Sequence, residues 1–432
     1  MHCKSKFIAV AAFFSVAATG HAQDATLQNA RYCGLGVQGA LPSFRRDNPT
    51  LSKFYDDPAF RARLYKILFE RSKAAGWKIN LFEKGDTRGA GASLGLSHVL
   101  TFENVEVEPF VDPRDGKVYN NVAYSFGVNT VLFDTADRQI KTVAPSVVTF
   151  SEVRATAPDA LARQAGFNAI FQGFGQSDSA IERWAASARN LPVSYDERTF
   201  FQVLPVALSE DAKAALGKAA QNASQTPGAF VKRLTAQYEA MLATSFGKPI
   251  VPVAVNDDGS VATGNQYVAN IPECLGTSSS LTLPSPSYRM RLTLDKVSNV
   301  NLRHDMPATQ EGLSSAAYQT EFAYGVRYKS EILRYDDLNG DKPIDERMFR
   351  YVRALRFTGD RAVNGYSQYA KLSSNFVKDL LAAYVAQNKD WVKENVSAAA
   401  DKKLGDPSKI VKDWKALFQG TMKIAPTANR GS

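Results

Sequence analysis

Histidine and cysteine are scarce in this chain: four and three, respectively, among 432 residues. His2, His21 and Cys3 lie in the first 22 residues, which read as a removable targeting segment. The remainder keeps His98, His304, Cys33 and Cys274. That set is too small and too scattered for a zinc constellation, and it has no CxxC spacing for a redox pair. Long runs of like charge are also missing. Basic residues are scattered among acids, without the one-sided clustering that marks nucleic-acid binding, so no nucleic-acid partner is expected. The glycine-rich segments fit neither the phosphate-loop pattern nor the dinucleotide GxGxxG spacing, and no cofactor is expected.

What is present begins with a secretion signal. Lys4 and Lys6 give a positive start, and Phe7 to Thr19 is an apolar run too short for a stable bilayer span. Gly20-His21-Ala22 supplies small residues for a peptidase, so cleavage after Ala22 is expected. Gln23 then becomes the first residue, which does not support a lipid anchor. Loss of the two lysines lowers the formal net charge from +9 to +7. This surplus reads as solubility, with weak contact to anionic membrane or cell-wall polymer. The expectation is a periplasmic or secreted protein. Its two remaining cysteines point to a Cys33–Cys274 disulfide, with two separate buried thiols as the alternative.

The remaining chain of about 410 residues is long enough for two or three domains. Its elements read twice in the same order: strand, long helix, short strand, two long strands, a further strand, helix. The first pass has a strand at Tyr32–Leu41 ending in a Pro42 turn, then a helix capped by Asp57 with Pro58 at its first position. Phe60, Leu64, Ile67 and Leu68 form that helix's apolar stripe. Strands follow at Trp77–Glu83, His98–Phe110, Tyr124–Asp134 and Ile140–Val153. A helix opened by Pro158 then carries Leu161, Ala165 and Ile170. The second pass starts with a strand at Phe200–Leu208 and a helix after Thr226-Pro227, where Phe230 and Leu234 repeat Phe60 and Leu64. Leu292–Val297 echoes Leu100–Val105, and Tyr324-Gly325-Val326 echoes Phe126-Gly127-Val128. A strand at Phe349–Thr358 and a helix through Phe376, Leu380, Leu381 and Tyr384 complete it.

The expected fold class is therefore α+β: two tandem related modules, 30–195 and 196–390, each a mixed sheet packed by helices. Residues 391–432 read as a lysine-rich helical tail with Trp414, Leu417 and Phe418 as its apolar cluster. A single larger α+β domain without true repeats is the alternative. Phe322, Tyr324, Val326 and Tyr328 alternate onto one strand face, which reads as core rather than as a ligand platform.

Two motifs point to chemistry. Gly91-Ala92-Ser93-Leu94-Gly95 matches the nucleophile-elbow pattern, in which a sharp strand-to-helix turn exposes the serine. The flanks are wrong, because polar residues precede it and a strand follows. A hydrolase using Ser93 with His304, placed in a long loop, is the alternative reading; a plain loop is preferred. Asp337, Asn339 and Asp341 have the alternating oxygens of a calcium loop. Lys342 stands where that loop needs its turn glycine, and Met348 where it needs a glutamate, so a hairpin turn is preferred to a calcium-stabilised surface binder. No paired carboxylates are legible from spacing.

Ser97-His98-Val99-Leu100-Thr101-Phe102 followed by Tyr124–Asp134, with Tyr335-Asp336 as the second-copy counterpart, resembles small periplasmic modules. These are the TolB amino-terminal domain and the curli secretion channel subunit. The resemblance spans most of residues 30–385. It implies an envelope protein that binds other macromolecules. The chain is therefore expected to be a non-catalytic cell-envelope protein that binds a protein partner or self-assembles.

Overall fold

The computed structural model describes residues 28–73, 79–83, 86, 91–112, 115–172, 201–221, 225–246, 250–253, 266–307, 318–336, 340–358, 365–397 and 406–418. The targeting segment, Asp337 and Asn339 lie outside the described residues, as does the side chain of His304. The first half comprises β1 (Gln28–Gln38), α1 (Leu41–Asp47), α2 (Pro49–Asp56), α3 (Pro58–Lys73) and β2 (Ile79–Phe82). It continues with β3 (Leu94–Val111), β4 (Val118–Asp134), β5 (Ile140–Arg154) and α4 (Ala160–Gln172).

Local chemistry accounts for the boundaries. The Asp57 side chain accepts from the N–H groups of Ala59 and Phe60 at 2.9 and 3.2 Å, and Pro58 opens α3. Phe60 and Leu64 are buried as their spacing predicts. Pro42, expected in a turn, instead lies in the first turn of α1, where its missing N–H costs nothing. In α4 the expected stripe holds only in part: Ile170 is buried, but Leu161 is 77% exposed and Phe167 and Phe171 complete the buried face. The bulky aromatic rings win the inner face, with Phe171 meeting Phe60 at 4.9 Å between centroids.

The second half begins with β6 (Phe201–Val203) and β7 (Ala207–Leu208). Pro205 divides the run expected as one strand, since proline cannot donate to a ladder. Next come α5 (Glu210–Gln221), α6 (Pro227–Phe246), β8 (Ile250–Val251), β9 (Gln266–Ile271) and β10 (Gly276–Thr282). Then follow β11 (Tyr288–Pro307), β12 (Tyr318–Arg334), β13 (Lys342–Thr358) and α7 (Gly365–Ala386). The tail supplies α8 (Lys389–Asn395), β14 (Val396–Ser397) and α9 (Pro407–Phe418).

The fold is α+β, with two mixed sheets and a helical C-terminal region. The first sheet runs β10-β9-β1-β3-β4-β5 with β2 beside β1; the second runs β14-β13-β12-β11-β6-β8 with β7 beside β11. In both, an opening strand lies parallel to a short strand and to the first strand of a three-stranded antiparallel meander. The matching pairing senses are the structural form of the repeat. Gly127 and Gly325 occupy corresponding places, opposite Phe102 and Ser298. The Leu292–Val297 echo is out of step: Leu100 pairs with Val128, whereas the equivalent Val326 pairs with Val297, not Leu292.

One hairpin crosses between the halves. β9 and β10, within the span read as the second module, join the first sheet through Val37↔Asn270 and Gln38↔Ala269. The turn between them carries Cys274, and the Cys33–Cys274 disulfide forms with 5.4 Å between Cα atoms. At the end of β10, Thr282 N–H donates to the Arg138 carbonyl just ahead of β5, so the first sheet curls round at that end. Its two faces therefore hold separate cores. The helices cover one built on Tyr32, Leu96 and Phe126, and the β9–β10 hairpin covers another built on Val131, Phe133 and Tyr267.

The second sheet has one core, where Tyr328 and Phe376 stack at 4.6 Å. Tyr324, Val326 and Tyr328 are buried in it and Phe322 packs against it, as their alternation predicts. The tail packs back onto this core. Trp414 is 1% exposed, lies 4.1 Å from Tyr384 between ring centroids and donates through Nε1 to Asp345 at 3.0 Å. Among the described residues no helix is long and apolar enough to cross a membrane.

Candidate functional site: a cleft between the two halves

The residues singled out by motif do not converge. Ser93 is exposed at the entrance to β3, so the turn around it leads into a strand and not a helix. Its carbonyl accepts from Thr135 N–H and Oγ1 at 2.6 and 2.8 Å, which closes the end of the β3–β4 ladder. The hollow beside Ser93, about 480 Å³, is an open surface depression reaching Asp134 and Lys141. His304, expected in a loop, lies within β11 of the other sheet, because β11 runs on through the polar residues that read as a loop. His98 enters β3 as expected but is fully buried, with Nδ1 3.0 Å from Thr130 Oγ1.

Of the calcium-like segment, the described acid Asp341 is engaged in structure. The Asp341 carboxylate receives Nη1 of Arg289 at 3.1 and 3.2 Å. Arg289 also donates to Gln202 at 2.8 Å and lies 4.3 Å from the Tyr335 ring centroid. Asp341 thus ties the start of β13 to β11 and β6. Among the described residues no cluster of three metal-ligating side chains occurs.

A more enclosed cavity lies where the halves meet, with a volume of about 440 Å³. From the first half, Thr101, Glu103 and Asn104 reach it from β3, and Asn129 from β4; Phe44 and Asp47 come from α1. From the second half, Lys232, Thr235, Ala236 and Glu239 project from α6, with Pro205 and Val253 beside them. Direct contacts hold these walls together. Gln225 donates to the Val105 carbonyl at 2.6 Å, and Gln368 to Glu108 at 2.6 Å. Arg233 pairs with Glu106 and Lys371 with Glu108, so three ladder residues of β3 hold the second half.

Each charge in the cleft has a counterpart or is suppressed. Lys232 lies 3.6 Å from Asp47. Glu103 lies in front of α2 and accepts from the N–H groups of Thr50 and Leu51 at 2.9 and 2.6 Å. There it satisfies donors that a helix start leaves open. Burial raises the Glu103 pKa while those N–H groups oppose the rise. Asn48 completes the link by accepting from Glu103 N–H at 2.7 Å. Glu239 is buried, and burial pushes its carboxyl up to about 8, so it is mostly protonated at neutral pH. Its Oε1 accepts from Val253 N–H at 3.1 Å. Nearby, Asn129 donates to the Tyr267 hydroxyl at 3.3 Å. The cleft thus presents amides, hydroxyls and a neutral carboxyl between aromatic and proline surfaces.

Glu103 and Glu239 are far apart in sequence, and spacing could not pair them. A signal did exist for Glu239. It stands four residues after Thr235 and three before Leu242, on the edge of the buried stripe of α6, where a carboxylate is out of place.

No family model matches this chain. No curated protein matches it either. Among solved structures, a Helicobacter pylori protein described as a neuraminyllactose-binding hemagglutinin homolog is similar at 9% identity and a TM-score of 0.19, over 50% of this chain and 91% of its own. A lipopolysaccharide binding protein is similar at 8% identity and a TM-score of 0.08, over 70% of this chain and 80% of its own. Scores this low carry no argument about fold or function. The resemblance to TolB and curli modules finds no support in either structure.

Proposed function

We propose that this is an exported, non-catalytic binding protein of the cell envelope that grips part of an envelope macromolecule between its two halves. The observation behind this reading is the bipartite cleft: its walls come from both sheets' modules, and it gathers polar groups around an enclosed volume of about 440 Å³. Pockets of about 300–1,000 Å³ at module boundaries, with few but convergent polar groups, are the usual form of a ligand site. Binding fits the cleft better than catalysis. Glu103 is committed to the start of α2, and Glu239 is neutral with one oxygen engaged by Val253. The targeting segment supports the envelope location.

Co-sedimentation with washed envelope preparations tests this reading. Wild-type protein is expected to sediment with them, and Ala236→Trp, which fills the cleft, to remain in the supernatant. Equal sedimentation of both proteins, or of neither, refutes it. N-terminal sequencing of the exported chain should begin at Gln23; a chain retaining Met1 in the cytoplasm refutes the location.

A further inference from the structure

We infer that the cleft takes an uncharged saccharide unit of one or two rings. This rests on the cleft being the binding site, and four features of its chemistry carry it. First, each fixed charge is already engaged. Asp47 lies between Arg46 at 3.0 Å and Lys232 at 3.6 Å, and Glu103 is held by the α2 N–H groups. An anionic ligand would find a single lysine already paired, and a cationic one would compete with an existing cation. Second, donors and acceptors alternate around the walls. Asn129 donates to Tyr267 and retains its carbonyl oxygen as an acceptor. Thr235 Oγ1 accepts from Val206 N–H at 2.9 Å and keeps its own proton to donate. Protonated Glu239 adds an O–H donor, and Gln38, Thr101 and Asn104 add further amide and hydroxyl groups.

Third, Phe44, Phe102, Pro145 and Pro252 supply flat apolar surface. A sugar ring offers that combination in reverse, with C–H faces for the apolar walls and a hydroxyl rim for the polar ones. A lipid chain would leave these amides and hydroxyls without partners at the cost of their desolvation. Fourth, the strands at the cleft are poorly placed to pair with a peptide. β3 and β4, which line it, are paired on both sides, and prolines interrupt the two sheet edges beside it, Pro145 on β5 and Pro252 directly after β8.

Calorimetric titration of the signal-cleaved chain tests the inference. The probes are neutral mono- and disaccharides, a sugar acid, spermidine and an uncharged tripeptide. The variants are Asn104→Ala and Ala236→Trp, with circular dichroism as the folding control; Ala229→Leu replaces Ala236→Trp should the latter not fold. A neutral saccharide is expected to bind, roughly tenfold more weakly to Asn104→Ala, the loss of one hydrogen bond. It should not bind measurably to the cleft-filling variant. Saccharide binding that both variants leave unchanged overturns the inference, as does the absence of saccharide binding. Binding of tripeptide, spermidine or sugar acid that is lost in Ala236→Trp also overturns it, while leaving the cleft as the binding site. If no probe binds and envelope co-sedimentation is also insensitive to Ala236→Trp, both readings fail.

Discussion

Replacing Glu239 by glutamine removes a proton-binding group from the cleft while keeping its shape. Burial lifts this carboxyl from 4.5 to about 8 in the folded chain. Between those values the folded state holds a proton that the unfolded state has released. Stability therefore falls as pH rises through that window, by at most about 1.4 kcal/mol per pH unit. His98 acts in the opposite sense. Burial depresses its imidazole from 6.5 to about 3, so stability falls as pH drops from 6.5 towards 3.

From pH 4.5 to 6.5 these two slopes oppose and largely cancel each other. From pH 6.5 to 8 the Glu239 slope stands alone of the two, and the wild type loses about 2 kcal/mol. Glu239→Gln should abolish that loss. It should also uncover a rise of about 2–3 kcal/mol between pH 4.5 and 6.5, which is the His98 contribution. Urea unfolding followed by tryptophan fluorescence at pH 4.5, 6.5 and 8 measures both. A variant that retains the wild-type fall between pH 6.5 and 8 refutes the reasoning, since Glu239 would then be ionised and solvated in the folded chain.

The disulfide closes a chain separation of 241 residues. Replacing both Cys33 and Cys274 by alanine should cost about 2–5 kcal/mol, seen as a lower Tm under non-reducing conditions; an unchanged Tm refutes this. A Cβ at Gly127 would lie 2.3 Å from the Phe102 ring, whereas the nearest atom to one at Gly325 would be Ser298 Oγ at 2.9 Å. Gly127→Ala should therefore cost about 1–3 kcal/mol in urea unfolding, and Gly325→Ala clearly less; equal costs would contradict the local packing. Trp414→Ala empties a fully buried site against Tyr384 and removes a donor to Asp345. A loss of about 3–5 kcal/mol is expected in the same assay, and a loss below about 1 kcal/mol would mean that the tail does not belong to the second core.

Local signals account for what was legible. Asp57-Pro58 and Thr226-Pro227 mark helix starts because capping and the first helical position need those residue types whatever the tertiary context. Tyr324, Val326 and Tyr328 declare a buried face because strand side chains alternate. The features that were misread have equally physical causes. Pro42 suits a turn and a first helical turn alike. His304 falls in a polar stretch of β11 that is strand because β12 pairs with it, not because of its own pattern.

Sequence alone therefore determined the α+β class and the main helix starts, since each depends on short-range periodicity or on residue type, and it pointed to the repeated order of elements and to the Cys33–Cys274 pair. Tertiary structure alone decided three further things. It moved the β9–β10 hairpin onto the first sheet, curled that sheet into a second core, and brought Glu103 of β3 and Glu239 of α6 into one cleft. A residue's periodicity tells which face of its own element is buried. It does not tell which distant element covers that face, and the cleft between the halves is made of such long-range choices.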